Sequence, residues 1–191
     1  MANSKLIVVE GPQGAGKTTI TDYIRYLIPY TNLYRLSGTA DSTIEGKEKA
    51  RIMYENLEDY IETLQNKSIN LVFDRTFFTE EIYCRLGFKQ YSFTDVYEVL
   101  LERFAKLDFD IYYITLYLSN EDEYAKRLER PAKAKNAYAK FDKQSSINQQ
   151  NAYLKMADEI MEKYPNIKVI KLDNSKNQEE TFAEIKKLIG D

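Results

Sequence analysis

The strongest constraint on the fold is a glycine-rich stretch near the start of the chain. It reads Gly11-Pro12-Gln13-Gly14-Ala15-Gly16-Lys17-Thr18 and matches the pattern G-x-x-x-x-G-K-[ST]. A β-branched apolar run precedes it at residues 5–10, and apolar residues at helical spacing follow from Thr18 to Ile28. A strand, a glycine loop and a helix in this order are the setting in which the motif binds phosphate. The sequence therefore predicts a phosphate-binding loop.

Each residue type in this loop has a chemical task. The glycines let backbone N–H groups face an anion, and the helix N-terminus adds the positive end of its dipole. Lys17 can reach the β- and γ-phosphates, and the Thr18 hydroxyl can ligate Mg²⁺. We therefore expect a nucleoside triphosphate with Mg²⁺, bound by Gly11, Pro12, Gln13, Gly14, Ala15, Gly16, Lys17, Thr18 and Thr19.

Composition narrows the range of functions. A chain of 191 residues suits one domain with a full core, and its net charge of −3 provides no general attraction for nucleic acid or anionic membranes. A single cysteine excludes an intrachain disulfide, and no leader or membrane-spanning run is evident, so a cytoplasmic protein is expected. Histidine is absent, so proton transfer would fall to other groups. Phosphoryl transfer depends mostly on positioning and charge, so it does not need histidine.

Strand-like runs alternate with helix-forming segments along the whole chain. This alternation predicts a single three-layer α/β domain, the P-loop NTPase fold, with a five-stranded parallel sheet and helices on both faces. Ligands in such sheets bind beyond the carboxyl ends of the strands. The predicted strands cover residues 5–10, 32–37, 69–73, 110–118 and 167–172.

Charged residues follow two of the predicted strands. Asp74 ends the third strand, where its carboxylate can hold Mg²⁺ together with Thr18, although capping of the next turn would also explain it. Arg75 follows at once and suits a phosphate oxygen pair. Arg35 lies near the end of the second strand, where contact with a phosphate or with solvent is equally compatible with the sequence.

A basic segment lies between two predicted helices. Residues 129–143 lack an apolar stripe and are interrupted by Pro131, which is typical of a mobile lid. A lid can exclude water while a phosphoryl group moves, and its cations can approach the γ-phosphate. Arg127 and Arg130 are the candidate catalytic cations, and a solvated surface loop is the alternative.

Aromatic and polar residues near Asp74 are candidates for a base pocket. Tyr54, Phe78 and Tyr83 could stack on a base, although rings at these spacings more often belong to a core. Thr79 and Glu81 could reach base edges, although exposed helix positions would explain them equally well.

Taken together, these motifs resemble the thymidylate kinase branch of the nucleoside monophosphate kinases, whose nearest relatives are deoxynucleoside kinases. The resemblance rests on Val9-Glu10-Gly11, the loop through Thr19, Arg35, Asp74-Arg75 with Thr79 and Tyr83, the Arg127–Arg130 lid, and Tyr153-Leu154 with Ala157. It implies a Mg²⁺·ATP donor, Arg35 and Arg75 on the acceptor phosphate, and Asp173-Asn174-Ser175 near the donor adenine. Members are commonly homodimers, so the resemblance also indicates a homodimer.

The departures from the family pattern fall on the acceptor side. Gln13 replaces an acidic residue that contacts the acceptor sugar, and Cys84 replaces a glutamine. Lys49 and Met53 stand where the family has a stacking phenylalanine and a base-reading arginine. Arg51 and Tyr54 lie beside these two positions and are candidate acceptor contacts. The acceptor base therefore stays open, and a modified deoxynucleotide is among the options.

Three functions are compatible with the sequence. Phosphorylation of a nucleoside monophosphate by ATP is favoured. A deoxynucleoside kinase benefits from a carboxylate base near the end of the second strand, whereas this strand ends on Arg35-Leu36-Ser37 and the nearest acid is Asp41. An ATPase switch would need neither an acceptor pocket nor an arginine pair.

Overall fold

The computed structural model describes residues 3–128 and 142–190 of the chain. The described strands and helices alternate as the sequence predicts, with two helices between the third and fourth strands, two between the fourth and fifth, and one after the last strand. In chain order they are β1 (Lys5–Glu10), α1 (Lys17–Leu27), β2 (Thr31–Arg35), α2 (Gly46–Thr63), β3 (Asn70–Asp74), α3 (Phe77–Arg85), α4 (Thr94–Ala105), β4 (Asp110–Tyr117), α5 (Glu123–Leu128), α6 (Lys143–Lys163), β5 (Lys168–Asp173) and α7 (Gln178–Ile189).

The five described strands form one parallel sheet in the order β2-β3-β1-β4-β5. This confirms the predicted α/β architecture. The central strand β1 pairs with β3 on one side and β4 on the other, so the glycine loop that follows it leaves from the middle of the carboxyl edge. Arg35 and Asp74 are register partners at the same edge, because β2 pairs with β3.

Helices cover both faces of the sheet. Alternation along β1 sends Leu6 and Val8 into the core beneath α2, α3, α4 and α6, whereas Ile7 and Val9 enter the core beneath α1 and α7. All four side chains are fully buried, as expected for a central strand of a parallel sheet. Packing on both faces holds the sheet in place, and with it the ends of β2 and β3 that carry Arg35 and Asp74.

The sixth helix begins earlier than the sequence predicts. Apolar spacing places its start at Ile147, whereas the helix begins at Lys143 and Asp142 caps it by accepting a hydrogen bond from the Ser145 N–H at 2.7 Å. Its first turn is polar, so hydrophobic periodicity does not detect it. Most of the predicted lid, with Arg130, lies outside the described residues. Among the residues described, no helix is long and apolar enough to cross a membrane.

Candidate active site

A cavity of about 640 Å³ opens at the carboxyl edge of the sheet, over the end of β1. Segments from five places in the chain meet there: the glycine loop, the ends of β2 and β3, helix α5, and the connection between β5 and α7. The lining residues are Gln13, Gly14, Gly16, Lys17, Thr18, Thr19, Arg35, Leu36, Ser37, Asp74, Arg75, Glu123, Arg127, Asn174, Lys176 and Gln178.

The glycine loop presents its backbone to this cavity. Gly14 and Gly16 adopt positive φ angles of 88° and 96°, which favour glycine, and Gly16 immediately precedes α1. The Lys17 ammonium donates hydrogen bonds to the carbonyl oxygens of Gly11 at 2.9 Å and Pro12 at 3.0 Å. The loop therefore combines a helix N-terminus with a lysine ammonium bonded to two of its carbonyl oxygens. Gly11, Pro12 and Ala15 are buried and shape the loop from beneath.

Two residues distant in sequence hold the loop from the other side. Arg127 donates to the Gly14 carbonyl at 3.2 Å and to the Asn174 carbonyl at 2.7 Å. The Asn174 amide nitrogen donates to the Ala15 carbonyl at 2.7 Å. A Cβ atom at Gly16 would lie 2.4 Å from that amide nitrogen, so a side chain there would displace Asn174 from the loop. Thus Arg127 and the β5–α7 connection are both part of the loop's support.

On the opposite side of the cavity, carboxylates and an arginine form a charged group. The Arg35 guanidinium lies 2.5 Å from an Asp22 oxygen and 3.6 Å from an Asp74 oxygen, and it also approaches the Thr18 carbonyl at 3.4 Å. Asp74 is largely buried, whereas the Arg35 side chain is 42% exposed. Arg35 is therefore anchored by carboxylates while its guanidinium lines the cavity.

Thr18 and Asp74 line the same cavity and supply oxygen ligands of the type that Mg²⁺ prefers. Within residues 3–128 and 142–190, no group of three or more His, Cys, Asp or Glu side chains could hold a metal ion. This donor set fits Mg²⁺, which commonly uses one or two protein ligands and takes the rest from water and substrate phosphates.

Arg75 lines the cavity from a strained backbone position. Its φ angle is 74°, in the left-handed region that non-glycine residues seldom occupy, and its N–H donates to the Val9 carbonyl at 3.2 Å. The next residue, Thr76, is the N-cap of α3 and is extended. Strained residues of this kind cluster at functional sites, which makes the Arg75 side chain a candidate functional group.

A buried carboxylate lies directly behind Arg75. Glu10 is fully buried and accepts hydrogen bonds from the Thr76 N–H at 2.8 Å, the Thr76 hydroxyl at 3.0 Å and the Thr79 hydroxyl at 2.5 Å. Burial raises the pKa of Glu10 to about 7, against the hydrogen bonds and the charges of Lys17 and Arg75, which lower it. Sequence reasoning did not assign Glu10 a role, because its partners are more than sixty positions away. The one feature of the sequence that could have indicated a role for Glu10 is its position as a charged residue at the end of an apolar strand.

Gln13 is a buried residue whose side-chain amide has no partner within hydrogen-bond distance in the part of the chain that the structure describes. Its backbone is held by α6, since the Gln149 side chain accepts from its N–H at 3.3 Å and the Ser146 hydroxyl donates to its carbonyl at 2.9 Å. Tyr83 is a polar neighbour of its amide. Among the described residues, however, neither amide atom has a partner within hydrogen-bond distance. The side chain is 4% exposed and lines the cavity, so a ligand could satisfy it.

Comparison with solved structures identifies the architecture. Thymidylate kinase from Candida albicans matches with a TM-score of 0.71 at 16% identity, over 99% of this chain and 92% of that chain. Deoxyadenosine kinase from M. mycoides with bound dATP matches with a TM-score of 0.64 at 14% identity, over 97% and 99% of the two chains. Its complex with dCTP matches with a TM-score of 0.60 at 18% identity, over 95% and 97%. The fold is that of the P-loop nucleotide kinases. No protein-family model and no curated protein sequence matches the chain.

Within this P-loop kinase fold, several predicted base-pocket residues lie away from the cavity. Tyr54 and Phe78 are buried in aromatic packing with Phe77, which is the core alternative that the sequence left open. Glu81 is buried and faces Arg85 and Thr94, and Arg51 pairs along α2 with Glu48 and Glu55.

Two of the remaining candidates stand closer to the site. Thr79 donates to Glu10, and its hydroxyl lies 2.9 Å from that of Tyr153, so it belongs to the layer behind Arg75. Tyr83 is buried beside Gln13, and burial raises the pKa of its hydroxyl. Of the predicted acceptor contacts, the structure therefore gathers Gln13, Arg35 and Arg75 at the cavity, with Tyr83 next to them.

Proposed function

We propose that the protein is a phosphotransferase that moves the γ-phosphoryl group of ATP to a nucleoside monophosphate, as thymidylate kinases do. The observation that carries this proposal is the meeting of a phosphate-binding loop with two arginines, Arg35 and Arg75, around one cavity. A loop of this kind suits the donor triphosphate, and a pair of arginines suits a second phosphate group on the acceptor. The agreement in fold with nucleotide kinases supports it.

The donor would lie along the glycine loop. The N–H groups at the start of α1 would bind its β-phosphate, and Lys17 would exchange its two carbonyl partners for phosphate oxygens. Arg127 and Asn174 flank the loop at the end nearest the β5–α7 connection, which suits the adenosine portion of ATP. Mg²⁺ held by Thr18, Asp74 and phosphate oxygens would offset the negative charge of the triphosphate.

The acceptor would bring its phosphate between the donor and the two arginines. An oxygen of that phosphate attacks the γ-phosphorus, the bond from the γ-phosphorus to the β,γ-bridging oxygen breaks, and ADP and a nucleoside diphosphate result. Arg35 would hold the acceptor phosphate, and Arg75 would contact both that phosphate and the group in transfer. The Gln13 amide, whose nitrogen and oxygen have no hydrogen-bond partner among the described residues, offers an NH₂ donor group and a carbonyl acceptor to the rest of the acceptor molecule.

A deoxynucleoside acceptor is the second candidate, because deoxyadenosine kinases share the fold. That reaction benefits from a carboxylate near the end of β2, where this chain has Arg35. The nearest acid, Asp41, is absent from the cavity lining and accepts hydrogen bonds from Thr43 and Lys49, which lower its pKa. Asp41 is therefore poorly placed to act as a base, and its lowered pKa makes it a weak one.

A substrate screen tests the proposal. Purified protein, ATP and Mg²⁺ are incubated with each nucleoside and each nucleoside monophosphate, modified deoxynucleotides included, and products are identified by mass spectrometry. We expect a diphosphate from at least one monophosphate, and no product with Lys17→Ala. Phosphorylation of nucleosides alone would assign the second candidate, and ATP hydrolysis that no acceptor stimulates would favour an ATPase switch.

A further inference from the structure

The conformation of Arg75 requires an external restraint. A non-glycine residue at φ 74° is strained, and such strain persists only where the surroundings enforce it. Arg75 occupies the single position between the end of β3 at Asp74 and the N-cap of α3 at Thr76. If that turn relaxed, the guanidinium would leave its place at the cavity.

The end of β1 provides restraints on both sides of this turn. The Val9 carbonyl accepts from the N–H of Arg75 itself, and the neighbouring Glu10 carboxylate accepts from both the N–H and the hydroxyl of Thr76. The second oxygen of Glu10 accepts from Thr79, one turn into α3. The three bonds to Glu10 are buried, so water does not compete with them.

We infer that Glu10 is a positioning residue: its carboxylate holds the β3–α3 turn so that Arg75 keeps its strained backbone and its place at the transferring phosphoryl group. The Thr79 hydroxyl extends the restraint to Tyr153 on α6, at a distance of 2.9 Å. This role rests on the proposed function, since it acts through Arg75 in phosphoryl transfer.

Replacing Glu10 by alanine and by glutamine separates this role from general support of the fold. Glu10→Ala removes all three accepted bonds, and displacing a catalytic group is expected to lower kcat by about 100-fold while the KM for ATP stays unchanged. Glu10→Gln can still accept from Thr76 through its amide oxygen and can donate to the Thr79 hydroxyl. We expect it to restore kcat to within about fivefold of wild type.

A double-mutant cycle with Arg75→Ala gives the readout that a purely structural role would not move. If Glu10 acts through Arg75, adding Glu10→Ala to Arg75→Ala should lower kcat by less than about threefold further. Glu58→Gln is the matched control, because Glu58 is equally buried but lies on α2 away from the cavity, and its kinetics should equal those of wild type. An undiminished effect of Glu10→Ala in the double mutant would overturn the inference.

Two further measurements keep the inference testable if Glu10→Ala does not fold or if the protein shows no kinase activity. Thr79→Val removes one bond to Glu10 and should lower kcat by about fivefold, which decides the question if Glu10→Ala does not fold. In a crystal structure of Glu10→Ala, or of Thr79→Val in the same case, Arg75 should leave the left-handed φ region. A retained positive φ, or a kcat within about twofold of wild type in the variant used, would contradict the inference. A crystal structure of the variant can be determined without an active enzyme. It therefore tests the role of Glu10 even if the substrate screen finds no kinase activity.

Discussion

The two sides of the cavity are built in different ways. The side that we propose for the donor is made mainly of backbone atoms from one continuous segment, Gly11–Thr19, supported by Arg127 and Asn174. The side that we propose for the acceptor consists of side chains from two neighbouring strand ends, Arg35 and Asp74-Arg75, held by carboxylates and by the buried network around Glu10.

This difference predicts where the two sides tolerate change. A backbone site depends on local conformation, so most side-chain changes leave it intact unless they remove a glycine or Lys17. A side-chain site depends on each charge and on the groups that hold it, so single substitutions can change its preference. The departures from the thymidylate kinase pattern fall among the expected acceptor contacts, and one of them is a side chain of the loop itself, Gln13.

The largest effect is expected for the one side chain on which the donor side depends. Lys17→Ala should lower kcat by at least about 100-fold, because it removes a cation aimed at the group in transfer. Lys17 lines the cavity and belongs to neither hydrophobic core cluster, so the Tm of the variant should stay close to that of wild type. Steady-state kinetics and thermal unfolding on the same preparation check this. Turnover near the wild-type rate would place the donor elsewhere.

A smaller effect is expected where a side chain only supports the donor backbone. Asn174→Ala removes a hydrogen bond to Ala15, and the KM for ATP should rise by about fivefold while the KM for the acceptor stays unchanged. Lys176→Ala, at the same connection, is the matched control for loss of a cavity-lining residue without a bond to the loop. If the acceptor KM shifted instead, Asn174 would belong to the other side.

The same division explains what sequence reasoning could predict. The sheet and the donor loop follow from local patterns, namely apolar strands, glycine spacing and a lysine at a fixed position. The start of α6 was not predicted correctly, because its first turn is polar and its cap, Asp142, has no periodic signal. The Glu10 network joins residues more than sixty positions apart, and burial decides its chemistry, so spacing along the chain does not reveal it.

The smallest effect on turnover is expected outside both sides, at Glu58 on α2. This side chain is fully buried, neither oxygen has a hydrogen-bond partner within the described residues, and burial raises its pKa to about 8. The folded protein therefore keeps this proton up to about pH 8, whereas the unfolded chain releases it near its ordinary pKa of 4.5. The contribution of Glu58 to the free energy of unfolding should then fall as pH rises between these two values.

Glu58→Gln removes this titration without changing the size of the side chain. Its stability relative to wild type should grow by at least about 1 kcal/mol between pH 5 and pH 8.5, while kcat stays unchanged. Chemical denaturation of both proteins across this range provides the measurement. A constant difference in stability would show that Glu58 is ionised in the folded protein at neutral pH.

The central claim is that Arg35 binds a phosphate carried by the acceptor. The most direct test measures the KM for ATP and for the best acceptor in Arg35→Ala and in Asp41→Asn. A charge-assisted hydrogen bond contributes roughly 1.5–3 kcal/mol, so Arg35→Ala should raise the acceptor KM by about tenfold to a hundredfold. The KM for ATP should barely change, and Asp41→Asn should be nearly silent. A silent Arg35→Ala together with a crippled Asp41→Asn would contradict the account and assign a nucleoside acceptor.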